Sequence, residues 1–476
     1  MRKNKMQMSL FDIYKDVCLA REENKPEFLA LLEEHIHFRE LIPADFRWAF
    51  YRQFGRPREY TLEGFVKFCV LQKTLGIEKN AAFITVLKMS SELRGFCGFD
   101  GADGVPDASK ITRFKQDFVR HIEKVFENLV EVTEPICREL DAGKADYLIY
   151  DPTGIKAHVA ENNPKFLNMK LNQSKKYAKN NPGINPHSLA YSFMPESAAA
   201  NPFVNQQYIN GHFCYAHKAG ILANGLGVIR GISFFDDHFK RRHPEVVSKR
   251  TDNPEVDKEI GDSVSLRPVL SDFFEAHPTF SYKTFLGDSS FDKYDHYAML
   301  RDEFHFDRVA VPLNPRNAST AHTDFDRNGT PVCPIDGTPF TFLGFSGGIN
   351  RSARFKWVCH KSEAAGRSRV CSCGAPCTDS SYGRCVYTYP AKDFRLYPGV
   401  PRGTDHWDNL YRHRVLIERT IYLLKDPLGA GFRKSFSSRT AKADLLFAGI
   451  TQLIGVILAH AINKPHLYKS VRKLVA

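Results

Sequence analysis

The sequence predicts an α/β chain in which an all-helical N-terminal region precedes a mixed sheet. Two observations carry this. Up to about residue 145, apolar residues recur at spacings of three and four, over Thr61–Leu75, Ala81–Leu93 and Ile111–Val132, as on helices docked on a core. From Tyr147 onward the pattern changes to short apolar runs that stop at Gly, Pro or Asp, which is strand punctuation.

Tyr147–Tyr150 is the first such run and is expected to end at Asp151-Pro152-Thr153-Gly154. Gly211–His217 and Gly225–Ser233 read as two further strands with glycine-rich turn material between them, so that three successive strands suggest a meander. Phe280–Leu286 reads as a fourth strand, ending at Gly287-Asp288, and Arg308–Leu313 as a fifth. A helix over 293–304 separates these two, which implies that they pair in parallel. The 90 residues 314–403 are rich in Gly, Ser, Arg and Cys and read as an inserted, β-rich subdomain. The expected division is therefore 1–145 helical, 146–313 first part of the core, 314–403 insertion and 404–476 second part of the core.

That last part opens on the most informative segment of the chain. At 100° per residue, Tyr411, Arg414, Glu418 and Lys425 fall at roughly 0°, 300°, 340° and 320°, within one 60° arc. Leu410, Ile417, Ile421 and Leu424 form an apolar stripe directly beside them. A phenol, a guanidinium, a carboxylate and an ammonium in one row suit a phosphate backbone and a metal ion, because cations bind phosphate oxygens and the carboxylate holds the metal. Asp151 and Asp288 each follow an apolar strand, and with Glu418 they make three carboxylates that a mixed sheet can bring together. Asp292 and Asp295 are alternatives to Asp288. Hard divalent ions such as Mg²⁺ take oxygen ligands, and a pair of them activates the attacking oxygen and stabilises the leaving one.

Composition agrees with a globular protein whose charge favours an acidic polymer or an anionic surface, the alternative being a charge that serves solubility alone. Sixty-six Lys and Arg against 54 Asp and Glu give a net charge of +12, and the hydrophobic fraction of 43% is ample for a core. The N-terminal residues lack an apolar signal segment, which points to a cytosolic chain with reduced thiols. The apolar stretch Leu445–Ala461 contains Gln452 and His460 and is short for a bilayer span, so a core helix from Ala441 to Asn463 is expected, followed by a solvated basic tail, His466–Lys473.

These motifs resemble the DDE transposases of bacterial insertion sequences, in particular the group whose glutamate lies in a Tyr-Arg-Glu-Lys signature. Tyr411, Arg414, Glu418 and Lys425 match that signature, Asp151 in Tyr-Asp-Pro-Thr-Gly matches the first acidic motif, and Asp288 in Gly-Asp-Ser-Ser-Phe-Asp resembles the second. Residues 95–122 are similar to the helical N-terminal domain of such elements. Pro152 departs from the family, which more often has a small or hydroxylated residue there. The resemblance implies a ribonuclease H-like core with an insertion ahead of the glutamate helix. It also implies Mg²⁺-dependent (or Mn²⁺-dependent) cleavage and strand transfer, binding of double-stranded DNA at terminal inverted repeats and at a target, a homodimer on DNA, no membrane, and a cytoplasmic, nucleoid-associated location. Asp151, Asp288 and Glu418 would be catalytic metal ligands, and Tyr411, Arg414 and Lys425 would contact phosphates. Two other readings fit fewer of these features: a catalytically inactive, element-derived DNA-binding protein, and a plain metal-dependent nuclease.

Four smaller expectations follow. Ser109 is a candidate cap of a basic helix suited to reading DNA, with an ordinary surface helix as the alternative. Lys165, Lys170, Lys175, Lys176 and Lys179, in a stretch free of acids from Glu161 to Glu196, suit backbone contacts or a solvated loop, and Lys240-Arg241-Arg242-His243 reads the same way. Cys359-His360, Cys371, Cys373 and Cys377, with Cys333 and Cys385 nearby, offer soft ligands for a structural Zn²⁺, the alternative being reduced structural thiols. Trp357 suits stacking on a flipped base or a place in the core, and His217-Lys218 an approach to the phosphate or a turn.

Overall fold

The computed structural model describes residues 25–469 except 53–55, 102–103, 210–211, 247–259, 315–323, 349–350 and 432–436, together with residues 9 and 15. The N-terminal region is helical as expected, with helices Glu27–His35, Phe38–Leu41, Ala44–Phe50 and Leu62–Thr74, the last capped by Thr61, whose hydroxyl accepts from the Gly64 amide at 3.0 Å. Two of the expected helices are each split in two. Ser90 adopts an extended conformation between Asn80–Met89 and Ser91–Cys97, and its Oγ caps the second helix by accepting from the Leu93 amide at 3.2 Å. Phe118 leaves helical geometry between Ala108–Asp117 and Val119–Ala145.

The sheet contains seven strands: β1 (Tyr147–Lys156), β2 (Ser197–Ala198), β3 (Asn201–Ile209), β4 (His212–Asn224), β5 (Ile229–Phe234), β6 (Thr284–Leu286) and β7 (Arg308–Ala310). β1 lies against β4 antiparallel, and β4 against β5 antiparallel, so the three expected strands are neighbours, but they are not successive: β2 and β3 intervene in the chain, and β4 runs through the expected turn as far as Asn224. On its other side β1 pairs in parallel with β6, and β6 in parallel with β7, across the helix Tyr294–Asp302. β1 does not stop at Asp151. It continues through Pro152, Thr153 and Gly154 to Lys156 because β4 is long enough to pair with it down to Lys156↔Ala216, while β6 accompanies it only to Ile149. The apolar pattern that marks a strand ends where the burial ends, not where the pairing ends. The polar stretch after it holds two helices, Pro164–Asn180 and Pro186–Ser192, and the strands β2 and β3, none of which has a strong periodic signal.

The pleat sorts the side chains of β1. Leu148 and Tyr150 face one core, shared with helices Leu266–Ala276 and Tyr294–Asp302, and Ile149 faces the other. That second core is continuous from the N-terminal helices through Ile221, Ile229 and Leu286 to Ile417, Leu424 and the helix Ser438–Ala461. The last helix is long and apolar enough to cross a membrane, but 83% of its apolar window is buried inside the protein. It is packed so closely that a Cβ added at Gly449 would lie 2.7 Å from the Phe126 ring. Of the basic tail, residues 470–473 lie outside the described residues.

One buried ion pair joins the long N-terminal helix to the sheet. Arg230 of β5, fully buried, lies 3.2 Å from Glu134 and donates to Thr133 Oγ1 at 2.9 Å and to the Val130 carbonyl at 3.2 Å. Arg230→Ala leaves Glu134 paired with Arg138, 2.9 Å away, but it empties a fully buried volume and strips the Thr133 hydroxyl and the Val130 carbonyl of a donor, so it should cost about 2–4 kcal/mol in denaturant unfolding. A loss below about 1 kcal/mol would show that this junction is not what holds the helix to the sheet.

The segment ahead of the glutamate helix contains a three-stranded antiparallel sheet of β8 (Thr341–Gly348), β9 (Arg351–Val358) and β12 (Cys385–Thr388), beside a hairpin of β10 (Ser362–Ala365) and β11 (Ser368–Cys371).

Candidate active site

Because Ile149 faces the core shared with the glutamate helix, the alternation of β1 turns Asp151, two residues on, to the same side. The helix itself is not continuous. Asp405–Tyr411 and Val415–Lys425 are joined by a tighter 3₁₀ turn, Arg412–Arg414, so the four signature residues come from three segments. They still face β1. Leu410, Ile417 and Leu424 are buried beneath them, and Thr420 fixes the helix by donating to the Gly227 carbonyl at 2.9 Å. Gly227 has φ of 78°, in the turn between β4 and β5 that Asn224 braces by accepting from the Leu226 and Val228 amides. The same Gly227 carbonyl accepts from Gln452 at 2.9 Å, so one turn holds both C-terminal helices.

Arg414 is the hub. Its guanidinium lies 3.6 Å from Asp151 Oδ2 and donates to Glu418 Oε1, one turn along the helix. Asp288 follows β6, the parallel neighbour of β1, and its Oδ1 caps a short 3₁₀ turn by accepting from the Ser290 amide at 2.9 Å and from the Ser290 hydroxyl. Burial raises the Asp151 carboxyl to about 7, Arg414 opposes this, and the charges of Asp288, Asp262 and Glu418 add to it. Asp288 and Glu418 also act on Tyr411, whose phenol burial already pushes upward. Tyr411 stacks on Trp407 with centroids 6.0 Å apart. Lys425, at the far end of the helix, donates to Thr153 Oγ1 and to the Gly154 carbonyl, both at 2.6 Å, and burial holds its ammonium below the ordinary value. The structure thus brings Arg414 and Lys425 into direct contact with β1 and Glu418 onto Arg414, while Asp288 and Tyr411 lie near enough for their charges to be felt in the same site. Among the described residues, however, no three His, Cys, Asp or Glu side chains gather closely enough to hold a metal ion.

Asp292 and Asp295 stand apart. Asp292 is fully buried in a two-pronged pair with Arg395, at 3.0 and 2.8 Å, and Asp295 is exposed on its helix. Asp292→Ala should therefore cost about 3 kcal/mol or more of stability, measured by thermal unfolding, whereas Asp288→Asn should leave the melting temperature within a few degrees.

Asp262 has no sequence signal and belongs to this neighbourhood. It pairs at 2.6 Å with Lys218, which is buried in the middle of β4 together with His217 rather than placed at a turn. Trp357 is a core residue, 2% exposed, with its indole N–H donating to Thr388 Oγ1 at 2.9 Å, and so is not available for stacking on a base. Cys333 and Cys359 are buried with Phe340, Phe355 and Tyr397, and Cys371, Cys373, Cys377 and Cys385 are partly exposed. All six are free thiols; the charges of Cys333, Cys371 and Cys377 act on Cys359, whose thiol burial already raises, but among the described residues no three His, Cys, Asp or Glu side chains form a group that could hold a metal ion.

Residues 17–117 match the family described as Transposase domain (DUF772). The N-terminal region resembles a transposase domain. No curated protein matches the chain. The transposase-like region is bolted to the C-terminal helix: Lys115 and Lys73, both buried, lie 2.8 and 3.4 Å from Asp444, and Gln116 donates to Thr440 at 3.0 Å. Within it the cap of helix Ala108–Asp117 is Asp107, not Ser109. Asp107 Oδ1 accepts from the amides of Ser109 and Lys110 at 2.8 and 2.9 Å, a job for which the longer reach of Asp suits it two residues earlier. Lys115 on this helix points into the core, while Arg113 is exposed.

Proposed function

We propose that the chain is a DDE-type DNA transposase that binds the terminal inverted repeats of its element and cuts and joins DNA with Mg²⁺ or Mn²⁺. The observation that carries this reading is the meeting of Asp151, from the central strand, with Glu418, from a distant helix, on one guanidinium, with Asp288 close enough to perturb Asp151. A central strand with antiparallel neighbours on one side and parallel ones on the other, crossed by the helix that bears the glutamate, supports a ribonuclease H-like core. The match of residues 17–117 supports a transposase over a general nuclease.

Three carboxylates form an all-oxygen donor set whose chemistry suits a hard divalent cation, although in this arrangement they are not gathered closely enough to hold one; burial, and after it the charges of neighbouring carboxylates, raise the Asp151 carboxyl. Asp151, Asp288 and Glu418 would hold it, and when bound it would supply activation of an attacking hydroxyl and charge stabilisation at the leaving oxygen. The remaining work falls to the chain. Arg414 compensates the carboxylates until the site is loaded, and when it swings from Asp151 its fork is free for a phosphate. Lys425 ties the glutamate helix to the backbone of β1 and so fixes the distance between Glu418 and Asp151. Tyr411, with its aromatic face against Trp407 and its phenol raised by burial, would offer a neutral hydroxyl to a phosphate.

The test is incubation of the protein and Mg²⁺ with DNA carrying the element ends and a target plasmid. Cleavage with joining supports the proposal. Cleavage without joining indicates a nuclease, and end binding without cleavage a DNA-binding protein that has lost its chemistry.

A further inference from the structure

The stretch Pro164–Asn180, which carries the five lysines, is a single helix and not a loop. Asn163 caps it by accepting from the Lys165 amide at 3.0 Å. Its start is clamped to the far end of β1 and β4 by Asn162, which donates to the carbonyls of Ala157 and Tyr215 at 2.8 and 2.7 Å and accepts from the Tyr215 amide at 2.8 Å. Ser174 is its buried residue, and Phe166 packs on the small core of Ala157, Val159, Met194, Ala198, Val204 and Tyr215.

At 100° per residue, Lys165, Lys175, Lys176 and Lys179 fall within an arc of roughly 100° on the side opposite this docked stripe. All four are exposed, and among the described residues none is paired with a carboxylate. Lys170 lies on the other side, over the Phe166 ring at 5.7 Å. The contrast with Lys240-Arg241-Arg242-His243 is sharp: there Arg242 is paired with Asp272 and Glu275, and His243 with Asp272. Lys175 and Lys179 are one turn apart, a like-charge spacing that costs a helix a few tenths of a kcal/mol when no anion is present. The row is about 21 Å long, the rise of about six base steps of duplex DNA. β1 ends about 16 Å of strand beyond Asp151, and Lys165 follows nine residues later, after the turn Ala160–Asn162.

We infer that this helix is a phosphate-backbone clamp that holds duplex DNA alongside the candidate active site. The inference rests on the DNA-directed reading above and names the surface that meets the polymer. A single-sign, acid-free face complements a polyanion. An anionic membrane surface is disfavoured, because the exposed Leu167, Met169 and Tyr177 are scattered round the helix and form no stripe that enters lipid.

The experiment is a salt titration of binding to a short duplex in EDTA, comparing the full chain with the variant K165Q/K175Q/K176Q/K179Q and with the corresponding Lys→Arg variant. Glutamine and arginine both keep helix propensity, and a thermal melt checks that each variant is folded. If all four lysines meet phosphates, the slope of log K against log salt falls by about 3.6 in the glutamine variant. The wild-type chain then loses about 10²-fold more affinity than the variant between about 50 and 200 mM salt, and the arginine variant behaves like wild type. An unchanged slope in a folded glutamine variant overturns the clamp while leaving the enzyme reading intact. A wild-type chain that binds no duplex overturns both, and a slope change seen only with RNA or with phosphatidylserine vesicles overturns the clamp as a DNA surface.

Discussion

Glu418→Gln should abolish both cleavage and joining while leaving DNA binding and folding in place. Glu418 is half exposed on the rim of its helix, and its side chain has one partner in the site, Arg414, so the amide can replace the carboxylate without opening a cavity or stranding a buried charge. On the proposed reading, what is lost is an anionic ligand. A bound divalent ion contributes several kcal/mol to a phosphoryl-transfer barrier, so the rate should fall by about a thousandfold or more. Single-turnover assays at saturating DNA read this directly, alongside a binding isotherm. A variant that retains more than about a tenth of the wild-type rate would remove Glu418 from the metal site and with it the assignment of the signature.

The second large effect concerns pH. A carboxyl raised from 3.8 to about 7 holds its proton more tightly in the folded chain than in the unfolded one. Between about pH 4 and 7 the folded state therefore carries a proton that the unfolded state has lost, and stability from this group falls as pH rises through that window. The full effect of Asp151 amounts to roughly 4 kcal/mol before relaxation of the site. In EDTA, the difference in unfolding free energy between wild type and Asp151→Asn should thus move in favour of the asparagine chain from pH 5 to pH 8. Glu127, also raised to about 7 by burial and by Glu123, acts in the same direction in both chains and cancels in the comparison. Mg²⁺ should reverse the trend in wild type alone, since the ion competes with the proton for the same oxygen. A difference that does not vary with pH would mean that Asp151 titrates normally and that the carboxylates are not crowded.

These expectations show where sequence reasoning reached and where it did not. The apolar run Tyr147–Tyr150, the parallel pair β6 and β7 and the helical N-terminal region were legible because burial writes a period into the sequence. So was the common face of Arg414, Glu418 and Lys425, since fixed helical spacing constrains direction in space, whereas the approach of Asp151 to it depends on how the helix docks on β1. Continuation of β1 past Asp151 was not legible, because Pro152-Thr153-Gly154 has the composition of a turn and is held in a strand only by the length of β4. The roles of Asp292 and Asp262 depend on Arg395 and Lys218, each distant in sequence, and no local pattern announces such a pair. For Trp357, burial by Phe342, Phe355 and Tyr397 decides its role, and only the folded sheet supplies that.

The helix Ser438–Ala461 lies at the centre of this molecule, with the transposase-like helices bolted to it on one side and the sheet and the glutamate helix seated on the other. A messenger cut short, or a frameshift, anywhere before Ser438 would deprive the first hundred residues of the surface on which they pack. Such a product would be a substrate for proteases rather than a folded fragment, so this architecture makes it hard for a truncated chain to persist beside an intact one.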